Sequence, residues 1–217
     1  MRVIEIFDSI DGEGVFTGCL ATFIRLGGCN MRCSYCDTGY ALKATDGEEM
    51  TVEQIIDEVK HIGNKHVTLT GGEPLMNKFT PVLVDKLCKS GYFVNIETNG
   101  SFDVSAYQNE NTIITMDYKT VSSGERHKMS IDRINTLRSC DVLKIVCADS
   151  DLHDVAKLLS EIETDAEVYI SPVFGKEDPK CLVSFLKMLR DTKVKSERIR
   201  VQIQLHKIIW NPEERGV

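Results

Sequence analysis

Three cysteines within eight positions constrain the fold and chemistry of this chain more than any other feature. Cys29, Cys33 and Cys36 have the spacing C-x3-C-x2-C and directly follow residues 20–26, an apolar run typical of a buried strand. Thiolates this close in sequence can all face one small centre, and soft sulfur ligands select zinc, copper(I) or an iron–sulfur cluster. The spacing therefore predicts a metal or cluster site, with a zinc loop or three unrelated core thiols as alternatives.

The number of ligands separates zinc from iron. A closed structural zinc site needs a fourth ligand, and the next cysteine or histidine residues are Cys19, His61 and His66, none of them close in sequence. Three cysteines on a four-iron cluster would instead leave one iron open to a small molecule. The missing fourth ligand therefore favours the iron–sulfur interpretation.

Composition is that of an ordinary globular protein. The chain has 217 residues, 42% hydrophobic and 27% charged, enough for one sizeable core in a single domain over residues 1–217. No apolar run approaches the roughly 20 residues needed to span a bilayer. Residues 1–7 lack a signal-peptide core, so a cytoplasmic location is expected.

The net charge and the number of cysteines limit the classes of binding partner and chemistry to be expected. The net charge of −7 argues against a broad nucleic-acid footprint or binding to an anionic membrane. Eight cysteines in a cytoplasmic chain favour metal or redox chemistry over disulfides. The remaining five lie among apolar neighbours and are interpreted as small buried hydrophobes: Cys19, Cys88, Cys140, Cys147 and Cys181.

Hydrophobic periodicity and turn residues predict alternating strands and helices. The predicted strands cover residues 2–7, 20–26, 66–70, 92–97, 112–116, 142–147, 167–171 and 199–205. The predicted helices cover residues 52–62, 80–90, 151–163 and 179–192, the first opened by a capping box at Thr51 and Gln54. This alternation predicts an α/β fold with a mostly parallel sheet, and four helices are too few for a complete eightfold barrel.

Loops rich in glycine or polar residues follow four of these strands. They cover residues 8–14, 27–38, 71–74 and 98–100. In α/β barrels chemistry lies at the C-terminal ends of the strands, so all four loops are expected at that edge. An ordinary strand-to-helix turn at 71–74 and a polar turn at 98–100 are the alternatives.

With Tyr35 before the last cysteine, the spacing resembles the radical S-adenosylmethionine (SAM) superfamily. There the open iron of a 4Fe-4S cluster binds the amine and carboxylate of SAM, and the reduced cluster cleaves SAM to a 5′-deoxyadenosyl radical. Residues 71–74 resemble the GGEP motif, whose backbone holds the SAM amino group, and residues 97–100 resemble the region that meets the SAM ribose. The resemblance implies an incomplete (open) radical SAM α/β barrel with mostly parallel strands.

Three further segments resemble one family within that superfamily. Residues 7–14 resemble the F-x-S-I-Q-G-E-G signature of 7-carboxy-7-deazaguanine synthase, residues 36–38 match its C-D-T, and residues 204–207 resemble its Q-x-H-K tail. The family belongs to queuosine and 7-deazapurine biosynthesis. The resemblance implies a lyase that converts 6-carboxy-5,6,7,8-tetrahydropterin to 7-carboxy-7-deazaguanine. The adenosyl radical takes hydrogen from C6, the ring contracts with loss of ammonia, and SAM is regenerated.

The resemblance also implies a set of site residues, without a side chain acting as catalytic acid, base or nucleophile. The cluster ligands would be Cys29, Cys33 and Cys36, with Thr38 as a ligand to Mg²⁺. Contacts to the cofactor would come from Tyr35, Cys36, Asp37, Gly72, Glu97, Asn99, Asp117, Tyr118 and Lys119. Substrate contacts would come from Ile10, Asp11, Gly12, Glu13, Arg25, Thr70, Gln204 and His206. The implied partners are an external electron donor such as flavodoxin and a second copy of the chain.

The chain departs from the family pattern at two places. Asp11 stands where the family usually has Gln, and residues 117–119 read Asp-Tyr-Lys where many members have Ser-Pro-Lys. The substrate contact at Asp11 and the SAM contact near Tyr118 therefore stay open.

Alternatives also remain for single residues and for the function. Arg25 could form an ordinary ion pair instead of binding the substrate carboxylate, and His206 could be a core residue. Lys119 and residues 126–128 could supply local positive potential or form a solvated loop. The alternative functions are a small radical SAM activase that makes a glycyl radical on a partner protein, and a non-enzymatic zinc or iron–sulfur binding module.

Overall fold

Nine strands form one open sheet in the computed structural model, which describes residues 1–217. They are β1 (Arg2–Ile10), β2 (Leu20–Leu26), β3 (Glu48–Glu49), β4 (His66–Gly71), β5 (Phe93–Thr98), β6 (Thr112–Lys119), β7 (Val142–Cys147), β8 (Glu167–Pro172) and β9 (Ile199–Val201). Their order in the sheet is β3-β1-β2-β4-β5-β6-β7-β8-β9. From β2 onward successive neighbours pair in parallel, whereas β1 pairs antiparallel with β2 and β3. The predicted open α/β architecture is confirmed.

Six helices connect or follow the strands. They are α1 (Val52–Ile62), α2 (Thr80–Lys89), α3 (Ile131–Ile134), α4 (Leu152–Glu161), α5 (Lys180–Leu189) and α6 (His206–Ile209). The predicted capping box opens α1, since Thr51 and Gln54 each accept a backbone N–H from the other. Gly63 ends α1 with a φ of 90°, a conformation that favours glycine. No helix is both long and apolar enough to cross a membrane.

The two faces of the sheet have opposite character. Residues such as Ile24, Leu69 and Ile145 face the helices and belong to a core cluster of 35 buried side chains. Because successive side chains in a strand alternate between faces, their neighbours line the interior of the barrel. Those neighbours include the buried polar residues Thr68, Asn95, Thr115 and Lys144. The apolar layer therefore supports the sheet, and polar side chains line the interior.

The loop after β1 was expected at the C-terminal edge of the parallel strands, and this prediction is wrong. Because β1 runs antiparallel to β2, Ile10 pairs with Leu20, and the loop begins at the N-terminal edge of the parallel strands. Residues 11–14 nevertheless fold back into the interior, where all four are buried. Glu13 reaches Lys144 on β7, and Asp11 reaches Thr68 on β4. We call residues 11–14 the floor loop.

The floor loop also bridges the first and last parts of the sheet, which are not joined by strand pairing. The backbone N–H of Gly14 donates to Oε1 of Gln202 at 2.8 Å, and Nε2 of Gln202 donates to Thr17 at 2.8 Å. Farther along the chain, the N–H of Leu205 donates to the carbonyl of Gly12 at 3.0 Å. The chain segment after β9 is thereby fastened to the floor loop.

Several predicted boundaries and burial assignments need correction. β1 extends to Ile10 and β6 to Lys119, while β9 stops at Val201. Among the five cysteines outside the motif, Cys147 is buried as expected, whereas Cys19 and Cys140 are exposed because they lie in loops next to β2 and β7. Cys88 and Cys181 are half-buried.

Candidate active site

The three cysteines lie on the loop that follows β2, at the C-terminal edge of the parallel strands. Cys29 and Cys33 are half-buried and Cys36 is exposed. The backbone N–H of Met31 donates to Cys29 Sγ at 3.4 Å, and Asn99 Nδ2 lies 3.7 Å from the same sulfur. Hydrogen bonds to sulfur are one means by which proteins tune thiolate ligands.

Burial favours the protonated form of two of the three thiols. Burial raises the pKa of Cys33, an effect that the ammonium group of Lys119 partly offsets, and burial likewise raises the pKa of Cys36. The three sulfurs are not drawn together in this structure into a group that could hold a metal ion. Because metals and clusters bind thiolates, binding of such a centre would displace the thiol protons.

Gly72 holds the turn after β4 directly against the cysteine loop. A Cβ atom at this position would lie 2.3 Å from the carbonyl oxygen of Gly28 and 2.8 Å from Cys29 Cβ. The next residue, Glu73, donates its backbone N–H to the same carbonyl at 2.8 Å. Only glycine permits this approach, which leaves bare backbone beside the cysteines.

Glu73 stabilises the turn after β4 through hydrogen bonds to its carboxylate. It is buried, and its carboxylate accepts hydrogen bonds from the backbone N–H groups of Asn99 at 2.6 Å and Leu75 at 2.9 Å. Thr98 Oγ1 donates to it at 3.0 Å. Burial raises the pKa of Glu73 to about 7 against the opposing effect of these donors. The residue therefore ties the ends of β4 and β5 together and fixes Asn99 beside Cys29.

An ion network fills the interior beneath the loop, and its central residue, Lys144, was not predicted from the sequence. Lys144 Nζ lies 2.9 Å from Glu13 Oε2 and 3.4 Å from Asp117 Oδ1. Lys119 Nζ lies 3.1 Å from Asp117 Oδ2. Burial opposes charge on Lys144, but Asp117 and Glu13 raise its pKa well above the usual value. The available signal was a lysine within the otherwise apolar strand Val142–Cys147.

Carboxyl groups from the floor loop and β5 share this interior. Glu97 Oε2 accepts a hydrogen bond from Thr70 Oγ1 at 2.8 Å, and burial raises the pKa of Glu97. Both oxygens of Asp11 lie 3.0 Å from Thr68 Oγ1. Burial, aided by the charge of Glu97, raises the pKa of Asp11 to about 7. Glu13 Oε1 is buried without a hydrogen-bond partner in the protein, as expected of an acceptor that awaits a ligand.

The raised pKa of Asp11 has a consequence for stability. The folded chain holds the proton over a pH range in which the unfolded chain has lost it, so Asp11 destabilises the fold as pH rises from about 4 to about 7. Asp11→Asn abolishes this ionisation. We expect the variant to gain stability relative to the wild type by up to about 4 kcal/mol across that range. Urea unfolding at several pH values measures the difference, and a difference that stays constant with pH would contradict the assignment.

Arg25 lies near the end of β2 and forms the ion pair that was the alternative to substrate binding. Its Nε lies 2.6 Å from Glu5 Oε1, which also accepts from the Tyr40 hydroxyl at 2.9 Å. The terminal guanidinium nitrogens make no hydrogen bond within the protein, so the two roles are compatible. The guanidinium carbon lies 5.8 Å from the centre of the Phe7 ring, which stacks on Phe23.

The C-terminal segment joins the floor loop to the cysteine loop. Gln204 Nε2 lies 3.4 Å from Glu13 Oε2, and a Cβ on Gly12 would lie 2.0 Å from His206 Nδ1. Burial lowers the pKa of His206, which favours the neutral imidazole. Lys207 Nζ lies 2.6 Å from Asp37 Oδ2, and although burial opposes ionisation, Lys207 holds the pKa of Asp37 below its usual range. Asp37 is therefore engaged in fastening this segment.

The structure separates a few predicted residues from the rest. Tyr118 faces the helix layer and packs in the core, because alternation along β6 turns only Asp117 and Lys119 inward. Any contact of Tyr118 with SAM would have to come from its backbone. Ile10, the last residue of β1, pairs with Leu20 at the edge of the sheet opposite the cysteine loop. The Tyr35 hydroxyl donates to the carbonyl of Val146 at 3.1 Å and so joins the cysteine loop to β7.

Comparison with known proteins agrees with this arrangement. The radical SAM superfamily profile matches residues 23–189. A 7-carboxy-7-deazaguanine synthase from Clostridium acetobutylicum is 40% identical, over 100% of this chain and 99% of that protein. The chain belongs to the 7-carboxy-7-deazaguanine synthase family of radical SAM enzymes. A protein of the same name from Methanospirillum hungatei is 36% identical, over 98% of this chain and 86% of its own length.

Solved structures share the fold of this 7-carboxy-7-deazaguanine synthase family member. QueE from Escherichia coli superposes with a TM-score of 0.72 at 23% identity, over 94% of each chain. An archaeal TYW1 superposes with a TM-score of 0.55 at 13% identity, over 79% of this chain and 71% of that one. Family membership does not favour the glycyl-radical activase or the non-enzymatic module as the function.

The donor set of the cysteine loop fits the 4Fe-4S cluster of a radical SAM enzyme. It offers three thiols and no histidine, and the nearest carboxylate in sequence, Asp37, is held by Lys207. The bare backbone at Gly72 and the amide of Asn99 lie beside Cys29, where a small molecule on the open iron needs polar partners. The three thiols could thus serve as ligands to three irons of such a cluster, and polar groups lie beside one of them.

Proposed function

We propose that this chain converts 6-carboxy-5,6,7,8-tetrahydropterin to 7-carboxy-7-deazaguanine with loss of ammonia. The observation that carries the proposal is the polar interior beneath the three-cysteine loop, to which the motif residues Asp11, Glu13 and Glu97 contribute. The product has the composition of the substrate less one ammonia, so the reaction needs no net oxidant. This balance is compatible with regeneration of SAM.

The cluster would be held by Cys29, Cys33 and Cys36. When bound and reduced, it supplies the electron that cleaves SAM to the 5′-deoxyadenosyl radical. The protein's own part is to hold SAM and substrate in one orientation and to exclude competing reactions. The closeness of the Gly72 backbone and the Asn99 side chain to Cys29 supports a role for both in holding SAM.

The proposed substrate contacts lie in two places, the C-terminal edge of the parallel strands and the floor loop. The free terminal nitrogens of Arg25 suit a carboxylate, because a planar guanidinium can donate two parallel hydrogen bonds. The unpartnered Oε1 of Glu13 suits an N–H group of the pterin ring. Asp11 in its protonated form can donate a hydrogen bond, as the amide of the usual Gln would. Thr70, Gln204 and His206 complete the proposed contacts.

The test of this function is a reaction in the absence of oxygen. Cluster-loaded protein is reduced chemically and given SAM and the carboxypterin, and mass spectrometry follows the product and ammonia. Formation of 7-carboxy-7-deazaguanine with SAM consumed only catalytically supports the proposal. SAM cleavage without pterin conversion would show a radical SAM enzyme with another substrate.

Thr38 is proposed as a ligand to Mg²⁺ that binds together with the substrate. Its hydroxyl donates to Asp37 Oδ1 at 2.9 Å, which leaves the oxygen lone pairs free to accept a cation. One neutral hydroxyl would hold Mg²⁺ weakly, so oxygen atoms of the substrate and water must supply the remaining ligands.

Pterin conversion is therefore expected to rise with added Mg²⁺, whereas SAM cleavage without pterin is not. Thr38→Ala should lose most of this stimulation, and Thr38→Ser should keep part of it. Pterin conversion and SAM cleavage by each variant are measured while Mg²⁺ is titrated into the anaerobic assay. Identical responses in wild type and Thr38→Ala would reduce Thr38 to a turn residue.

The proposed setting is the cytoplasm, with flavodoxin or a similar carrier as electron donor. Reducing conditions keep the eight cysteines as thiols, which iron–sulfur assembly requires. Assembly into a homodimer is proposed from the family resemblance alone, and light scattering tests it.

A further inference from the structure

Lys207 connects the C-terminal segment, residues 202–209, to the cysteine loop. Its Nζ donates to Asp37 Oδ2 at 2.6 Å and to Gln204 Oε1 at 3.1 Å, and it lies 5.6 Å from the centre of the Phe174 ring. Only 9% of the side chain is accessible, whereas lysine is usually exposed. The ammonium group is therefore committed to contacts within the protein.

Lys207 determines the orientation of the buried Gln204 amide. An ammonium group has donors only, so it must face the amide oxygen, which turns the amide nitrogen towards Glu13. The contact on that side agrees, because Gln204 Nε2 lies 3.4 Å from the acceptor Glu13 Oε2. Since the NH2 group has two hydrogens, one remains for a carbonyl oxygen of a bound molecule. Lys207 thereby makes Gln204 a hydrogen-bond donor towards the interior.

Lys207 also fixes the side chain that holds Thr38. One carboxylate oxygen of Asp37 accepts from Lys207, and the other accepts from the Thr38 hydroxyl at 2.9 Å. The second bond directs the hydroxyl hydrogen to Asp37 and leaves the lone pairs of Thr38 Oγ1 free. The Asp37 side chain is 48% accessible and accepts side-chain hydrogen bonds from these two residues alone. Without Lys207 it would be free to turn away from Thr38.

The C-terminal segment has other contacts that keep it in place. The N–H of Leu205 donates to the carbonyl of Gly12 at 3.0 Å, and Gln202 exchanges hydrogen bonds with the backbone of Gly14. None of these contacts involves the ammonium group. Replacing Lys207 should therefore alter the orientation of side chains next to it and leave the fold intact.

We propose that Lys207 is a positioning residue that fixes Gln204 for the substrate and Thr38 for Mg²⁺. The inference rests on the proposed function, in which Gln204 contacts the pterin and Thr38 is a ligand to the metal ion. Lys207 contacts neither the pterin nor the metal ion, and it acts through the amide oxygen of Gln204 and the carboxylate of Asp37. Loss of its ammonium group should weaken pterin binding and reduce the effect of Mg²⁺ on that binding.

The test measures binding without turnover. The probe is 6-carboxypterin, the stable aromatic analogue of the substrate. It is titrated by calorimetry into unreduced, cluster-loaded protein with SAM, once with Mg²⁺ and once without. Lys207→Met removes the ammonium group, and Lys207→Arg keeps a cation. Lys193→Met is the matched control, because Lys193 is an exposed lysine before β9 that forms no ion pair.

With Mg²⁺ present, Lys207→Met is expected to bind the probe about tenfold more weakly than the wild type, because hydrogen bonds to a charged group are lost. Its midpoint of unfolding in urea should stay close to that of the wild type. Lys207→Arg should recover part of the affinity, and Lys193→Met should bind as the wild type does.

Double variants separate positioning from a merely structural role. In a Gln204→Ala background, Lys207→Met should weaken binding without Mg²⁺ much less than it does in the wild type. In a Thr38→Ala background, it should not reduce the effect of Mg²⁺ any further.

The proposal is overturned if the losses in the double variants are fully additive, or if Mg²⁺ strengthens binding equally in the wild type and Lys207→Met. Wild-type affinity in Lys207→Met, or a wild type that does not bind the probe, would also overturn it. Failure of the proposed function would appear separately, as no conversion of the carboxypterin by wild-type protein in the turnover assay.

Discussion

Cys33→Ala is expected to abolish cluster binding and SAM cleavage while the protein stays folded. A four-iron cluster with one open iron has no spare protein ligand, so the loss of one thiolate leaves two irons without protein. Cys33 is half-buried on a surface loop outside the core cluster, so its replacement should cost little stability. Iron and sulfide analysis of anaerobically prepared protein measures the first effect, and circular dichroism measures the second.

Cys140→Ala is the matched control for this experiment. Cys140 is an exposed cysteine in the turn before β7, and its loss should leave the iron content and SAM cleavage at wild-type levels. Stoichiometric zinc with no iron in the native protein would contradict the cluster assignment. Full SAM cleavage by Cys33→Ala would show that another group completes the ligand set.

Local sequence signals were sufficient to predict the open α/β fold and the cysteine loop. Val67 and Leu69 alternate with Thr68 and Thr70, and in the parallel sheet this pattern became one apolar and one polar face. Parallel strands place their ends at one edge, so the loops after β2, β4 and β5 met as expected. The pairing direction of β1 was not predictable in this way, because the same alternation of side chains fits a parallel or an antiparallel neighbour.

Ion pairs account for the error at the end of β6. Asp117 and Lys119 are charged, so the sequence favoured a loop after residue 116, yet β6 continues to Lys119. Burial opposes ionisation of Asp117, but Lys119 and Lys144 together lower its pKa, so the charged form is maintained inside the barrel. Contacts of this kind join residues far apart in the chain and leave no local pattern. The inward-facing position of Lys144 is the clearest example.

Lys144→Met is the second large prediction, since it removes the cation that lies between Glu13 and Asp117. Removing one partner of a buried ion pair leaves an uncompensated charge and costs roughly 3–5 kcal/mol of unfolding free energy. The methionine side chain has a similar length, so the loss of charge is the main change. Urea unfolding followed by circular dichroism measures the effect.

The pH dependence of this loss and two further variants identify its cause. In Lys144→Met the buried carboxylates lose the cation that favours ionisation, so their pKa values should rise and protonation at low pH should relieve the repulsion. The stability deficit should therefore shrink as pH falls from 8 towards 5.

Adding Glu13→Gln to Lys144→Met should recover part of the deficit at pH 8, because one of the uncompensated charges is removed. Lys157→Met, at an exposed lysine on α4, should change stability by no more than about 0.5 kcal/mol. A deficit that is equal at both pH values, or that Glu13→Gln does not reduce, would mean that Lys144 acts through packing and not through its charge.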